Sequence, residues 1–213
     1  MKVAVLISGR GSNLKALIDA AAATDYPAEI VLVISNRASA GGLDFAREAK
    51  IPTAVIPHGD FATREAFDNA IDARLRDAGV DLICLAGFMR ILSDGFVRKW
   101  QGQMVNIHPS LLPAFRGTEV HEQALAAGVR ISGCTVHYVI PELDAGPAIA
   151  QAAVPVHVHD TPETLAARVL EAEHRLYPLA VRVIAEGRVQ LYNERVIFSD
   201  TADANGDLFS PPL

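Results

Sequence analysis

Over its first hundred residues the chain alternates two patterns, and that alternation restricts the fold more than any other feature. Short β-branched runs lie at 2–7, 30–35, 53–56 and 81–86. Each is almost continuously apolar, as a strand buried on both faces must be. Between them lie helical stretches at 13–23, 41–50 and 61–78. The third places Phe61, Ala66, Phe67, Ala70, Ile71 and Leu75 on one stripe with charges between, which is the helical period. A shorter helix near 94–100 leads to a fifth strand at 104–107. Strand–helix alternation of this kind gives an α/β fold, a Rossmann-like parallel sheet with helices on both faces.

The second half reads differently. Residues 114–118 show little pattern, a short helix follows at 120–127, and 131–140 alternates like a strand. A further strand at 148–156 is separated from it by the tight Asp144-Ala145-Gly146-Pro147. The pair therefore reads as an antiparallel extension of the sheet. Thr161 is a good N-cap, Pro162 suits the first helical position, and Gly187 stops a helix that runs to about 186. A last strand is expected at 189–192. We read 1–193 as one domain in two lobes, a phosphate- or nucleotide-binding lobe over about 1–100 and a catalytic lobe over about 101–193. A polar tail at 194–213, loosely ordered beyond 200, completes the reading.

Composition narrows the function. Half of the 213 residues are hydrophobic and 21% are charged, enough apolar material for a real core. The net charge of −6 leaves no electrostatic footprint for nucleic acid. Cys84 and Cys134 sit in apolar runs and read as buried, reduced thiols. No apolar run approaches the ~20 residues of a membrane span. The N-terminal run is too short for a signal peptide, so a cytoplasmic protein with no membrane partner is expected.

Three motifs can carry chemistry. Ser8-Gly9-Arg10-Gly11-Ser12-Asn13-Leu14 joins the first strand to the first helix. Glycines permit a tight turn, and a helix start offers free N–H groups to an anion. Leu14 replaces the third glycine of a dinucleotide fingerprint, and Asn36-Arg37 ends the second strand where an acidic ribose hook would stand. A single phosphate suits this turn better than a dinucleotide, and a plain structural turn remains open. Asn106 and His108 are two apart at the end of the fifth strand, so both point the same way at the edge where ligand clefts form. An amide donor beside an imidazole suits acyl chemistry: one steadies an oxyanion, the other handles a proton. Asp144 is either a turn residue or the carboxylate that pairs with and orients His108. His137 lies on a strand and reads more readily as a packed strand histidine than as a residue near the active site. His157 and His159, two apart on one strand face, lack a convincing third ligand, so no metal is expected.

Together and in order, these segments resemble the phosphoribosylglycinamide formyltransferase family. The likeness runs from Met1 to about Asn193. It includes Leu85-Ala86-Gly87-Phe88-Met89-Arg90-Ile91-Leu92, Asn106-Ile107-His108-Pro109-Ser110-Leu111-Leu112-Pro113 with a later Asp144-Ala145-Gly146, and Glu171-Ala172-Glu173-His174. The resemblance implies a formyltransferase fold and transfer of a formyl group from 10-formyltetrahydrofolate to glycinamide ribonucleotide, without a metal. It makes Asn106, His108 and Asp144 catalytic. Gly11, Ser12 and Asn13 would hold the phosphate and Glu173 the ribose. Arg64, Met89, Arg90, Ile91 and Leu92, with Asn106, would contact the reduced folate, and the loop 139–144 would line the pteridine pocket. Partners are then small molecules, and the protein a monomer or homodimer. The rival formyltetrahydrofolate hydrolases and methionyl-tRNA formyltransferases share the catalytic set but carry extra domains, which the length of this chain speaks against. A regulatory nucleotide-binding module, needing only the glycine-rich turn, is the non-enzyme rival.

Overall fold

The computed structural model describes residues 1–193 and 195–199. Seven strands form one sheet in the order β3-β2-β1-β4-β5-β6-β7. Here β1 is Lys2–Ile7, β2 Glu29–Ser35, β3 Thr53–Val55, β4 Leu82–Leu85, β5 Met104–His108, β6 Ile131–Tyr138 and β7 Ala148–Pro155. The first five strands are parallel. β6 then runs antiparallel to both β5 and β7, so the expected extension is part of the main sheet.

Helices α1 (Ser12–Ala21), α2 (Gly42–Glu48), α3 (Arg64–Asp77), α4 (Asp94–Lys99), α5 (Val120–Ala126) and α6 (Pro162–Ala185) complete the layers. Alternate residues of each strand serve opposite cores. Val3, Val5 and Ile7 of β1 pack with residues of α1, α2 and α6, whereas Ala4 and Leu6 pack with residues of α3 and α4. This two-sided burial is why the strands read as unbroken apolar runs. Tyr177 of α6 is buried, and its hydroxyl donates to the carbonyls of Leu85 and Val105, fastening the helix across β4 and β5.

Helix boundaries follow their caps. Thr161 accepts from Thr164 N while Thr164 Oγ1 accepts from Thr161 N, a reciprocal capping box that opens α6. α3 starts at Arg64 instead of residue 61, because Thr63 takes the N-cap and accepts from Ala66 N; a 3₁₀ turn at His58–Asp60 precedes it. The tail expected from 194 is also shorter. Arg195–Phe198 forms strand β9, paired antiparallel with β8, Val189–Tyr192. The rest of the expected tail, 200–213, lies outside the described residues. Among those described, no helix is long and apolar enough to cross a membrane.

Candidate active site

Asn106 and His108 end β5, and the neighbouring antiparallel strand decides what faces them. Register sets His137 of β6 opposite Asn106 and Thr135 opposite His108. Asn106 Nδ2 lies 3.2 Å from His137 Nε2. His137 Nδ1 lies 3.0 Å from the Tyr138 carbonyl, which can only accept. Nδ1 therefore carries the proton in the neutral ring, and Nε2 accepts from the Asn106 amide. Burial holds the His137 imidazole below the ordinary histidine range; the Tyr138 carbonyl and the Asp144 charge oppose this, while His108 adds to it. The contact orients the Asn106 amide and leaves its second N–H for a ligand.

Asp144 enters from the turn after β6 with a left-handed backbone, φ 49°. A Cβ on Gly146 would strike the Tyr138 carbonyl, so this turn can lie against β6 only with glycine there. Asp144 Oδ2 lies 3.5 Å from His108 Nδ1 and accepts from Gly117 N at 3.0 Å; Oδ1 lies 3.9 Å from His137 Nε2. The His108 and Asp144 side chains are only 5% and 8% exposed. The other His108 nitrogen, Nε2, donates to the Phe115 carbonyl at 2.9 Å. Phe115, Gly117 and Glu119 all have positive φ, and through Phe115 O and Gly117 N the segment 114–119 closes on the pair. Arg116 ties it to the 139–144 loop through Glu142 at 2.9 Å. The expected trio thus converges. His137, which the sequence suggests is a packing residue, is 2% exposed yet belongs to the cluster. Its position opposite Asn106 is a matter of register, for which the sequence carries no local signal.

A second group lies where β1 meets α1. Gly11 is the N-cap of α1, with φ 78°, no capping side chain and no acid in the first turn. The first helical bond is from Lys15 N to Gly11 O, which leaves the N–H groups before it open to an anion. Gly11 also has a nearer reason to lack a side chain: a Cβ there would run into the backbone of Gly42. Asn13 Nδ2 donates to Glu173 Oε2 at 2.6 Å, while the buried Asn13 Oδ1 makes no hydrogen bond among the described residues. Glu173 is 6% exposed, far from a solvated helix residue. Burial raises its carboxyl pKa, and the Asn13 contact pulls the other way. Two residues 160 positions apart in the chain thus meet at the mouth of α1.

The loop after β4 presents Met89 and Ile91, 69% and 63% exposed, and the 139–144 loop presents Leu143 at 57%. Large apolar side chains this open, close to a polar cluster, suit a flat ligand. Arg90 and Arg64, the first residue of α3, are exposed. Leu92 packs in the core that also holds Phe96, so only its backbone is free for a ligand. His157 and His159 lie in the turn after β7, not on a strand, and neighbouring Asp160 is committed to Arg168 in a two-pronged ion pair at 2.7 and 2.8 Å.

The formyl transferase family profile matches residues 1–181. The chain belongs to the formyl transferase family. Among members of that family, it is 45% identical over 190 residues to the phosphoribosylglycinamide formyltransferase of Haemophilus influenzae, covering 89% of this chain and 90% of that one. It is 55% identical over 190 residues to the trifunctional purine biosynthetic protein adenosine-3 of Homo sapiens, covering 89% of this chain and 19% of that one. The chain thus spans about a fifth of that relative's length. Among solved structures, glycinamide ribonucleotide transformylase 1 from Symbiobacterium toebii superposes with a TM-score of 0.91 at 46% identity over 94% of both chains. The phosphoribosylglycinamide formyltransferase of Brucella melitensis gives 0.84 at 55% identity, over 89% of this chain and 97% of its own. The formyl transferase fold accounts for a parallel sheet with an antiparallel extension beside β5.

Proposed function

We propose that this formyl transferase moves the formyl group of 10-formyltetrahydrofolate onto the amine of glycinamide ribonucleotide, a step of purine biosynthesis in the cytoplasm. The observation that carries the reading is one sheet edge holding two sites of different chemistry. The Asn106–His108–Asp144 cluster suits acyl transfer, and the open start of α1 with Asn13 and Glu173 suits a ribose phosphate. The N–H groups of Gly11, Ser12 and Asn13 receive the phosphate, and Glu173 and Asn13 receive ribose hydroxyls. Met89, Ile91 and Leu143 supply the apolar slot for the pteridine, with the backbone of Arg90 and Leu92 and the Arg64 cation around it.

When bound, the folate supplies the formyl carbon as electrophile. Everything else falls to the chain. Asn106, held by His137, turns its free N–H toward the formyl oxygen and stabilises the charge that gathers there. His108 donates from Nε2 to the same oxygen, which requires that ring nitrogen to leave the Phe115 carbonyl as the 114–119 segment gives way. Asp144 steadies the ring through Nδ1, and the pair helps relay the proton lost by the attacking amine to the folate nitrogen that leaves the formyl carbon as tetrahydrofolate. Holding two substrates in register removes entropy worth up to ~7–11 kcal/mol of barrier in well-oriented cases.

The test is a transfer assay with glycinamide ribonucleotide, water and charged initiator tRNA offered as acceptors. The reading expects formylated ribonucleotide as the dominant product. Formate release or formyl-tRNA at a comparable rate overturns it.

A further inference from the structure

A line of hydrogen bonds crosses the C-terminal edge of the sheet and ends on the loop after β4. Met89 N donates to Ser8 Oγ at 2.8 Å, Ser8 Oγ donates to Asn36 Oδ1 at 2.6 Å, and Asn36 Nδ2 lies 3.3 Å from His58 Nδ1. Ser8 follows β1, Asn36 follows β2, and His58 opens the 3₁₀ turn after β3. β4, β1, β2 and β3 are consecutive neighbours in the sheet, so the line steps once across each gap. Ser8 and Asn36 are buried. The direction of every bond is fixed from one end. A backbone N–H can only donate, so Ser8 Oγ accepts from Met89 and gives its own hydrogen to Asn36. The Asn36 amide then turns its NH2 group to His58, and His58 Nδ1 must accept.

Ser8, Asn36 and His58 take no part in the proposed transfer, yet they hold the backbone on which Met89 stands. The far end of the same loop is fixed independently: the buried Asp68 of α3 accepts from Ser93 N at 2.7 Å. Both anchors lead back to one turn of α3, because the His58 ring meets Phe67 edge-on, with centroids 6.4 Å apart, and Phe67 precedes Asp68. Between the anchors, Arg90, Ile91 and Leu92 make no backbone hydrogen bond among the described residues. Their N–H and C=O groups are free for the polar edge of a flat heterocycle. Met89 and Ile91 thus combine widely exposed side chains with a backbone tied down on both sides. A loop held in this way meets its ligand with little ordering left to do.

We infer that Ser8, Asn36 and His58 are positioning residues for the folate co-substrate: the hydrogen-bonded line from His58 to Met89 N sets the backbone of 89–92 against the pteridine. The inference rests on the folate reading of the site. It is tested by steady-state kinetics with 10-formyltetrahydrofolate and glycinamide ribonucleotide each varied, in the wild type, His58→Phe, His58→Asn and Ser8→Ala. Phenylalanine keeps a ring against Phe67 but offers no acceptor. Asparagine gives up the ring but places an acceptor oxygen where Nδ1 stands. His58→Phe is expected to raise the folate KM about fivefold, the effect of one lost hydrogen bond, with the ribonucleotide KM within about twofold of wild type. His58→Asn is expected to keep both KM values within about twofold of wild type. Ser8→Ala cuts the line at Met89 itself, so its folate KM should rise at least as far, and adding His58→Phe to it should raise that KM no further. The Ser8 variant decides alone if His58→Phe does not fold. A folate KM untouched by the cut, or equal rises for both substrates, overturns the inference. So does His58→Asn as impaired as His58→Phe, because the ring then matters and the acceptor does not. Transfer by the wild type from 10-formyltetrahydrofolate tests the folate reading by itself; its absence sinks that reading, whereas transfer with a folate KM indifferent to the cut sinks only the positioning role.

Discussion

The two ends of the site are built in different ways. At the β1–α1 turn the groups proposed to meet the phosphate are backbone N–H groups of consecutive residues, and only Glu173 comes from afar. At the β5 end the groups come from four separate segments: Asn106 and His108 from one strand, His137 from its antiparallel neighbour, Asp144 from the next turn, and Phe115 O with Gly117 N from the segment between. A local turn tolerates loss of one participant better than a cluster whose members orient one another.

The largest effect should therefore come from the cluster. His108→Ala is expected to lower kcat by ~10³-fold or more with modest change in either KM, since its contact matters most in the transition state; steady-state kinetics with each substrate varied checks this. A comparable rise in both KM values would instead place His108 among the binding groups.

The same contrast explains what could be read in advance. β1 is legible to the residue because five consecutive apolar positions after Lys2 fit only a strand buried on both faces. Thr161 and Pro162 announce α6 for equally local reasons. The Asn106, His108 and Asp144 candidates are visible as residue types at strand and turn ends. The role of His137 is not, because only the β5–β6 register puts it opposite Asn106. Glu173 looks like an ordinary helix residue until α6 is laid against α1. The start of α3 is misplaced because Phe61 continues the apolar stripe while Thr63 holds the cap. β9 escapes because its four residues have a partner only in β8.

At the turn, Gly11→Ala gives the next largest effect, and it falls on stability. The substitution forces a side chain onto a left-handed backbone and into Gly42, so a loss of about 1–3 kcal/mol is expected by urea unfolding without any ligand. Unchanged stability would mean that the turn yields, and that Gly11 is kept only for the phosphate.

Glu173→Gln sharpens the comparison from the binding side. It keeps shape but removes the carboxylate, and KM for glycinamide ribonucleotide should rise about tenfold with little change in the folate KM. Equal rises in both would detach Glu173 from the ribose.

The smallest effect is a pH dependence. Burial depresses the His137 and His121 imidazoles in the folded protein, so as pH falls below ~6.5 the unfolded chain takes up those protons first and stability drops. Glu173, raised by burial, works in the opposite sense at its own lower range, so the wild type alone does not isolate the histidines. Urea midpoints at pH 7.5 and 5.5 should fall more for the wild type than for His137→Gln, by less than ~1.4 kcal/mol per pH unit for one proton. Identical slopes would show that His137 does not stay neutral in the folded state.

The central claim is that the β5-end residues act as one unit, and a double-mutant cycle on kcat at His108 and Asp144 tests it most directly. Asp144→Asn alone should cost on the order of 10²-fold, and His108→Ala at least as much. The account predicts that His108→Ala/Asp144→Asn is scarcely slower than His108→Ala alone, because a carboxylate that works through the imidazole has nothing left to hold. Losses that multiply in the double variant would contradict it, leaving Asp144 a turn residue that happens to lie 3.5 Å from the catalytic ring.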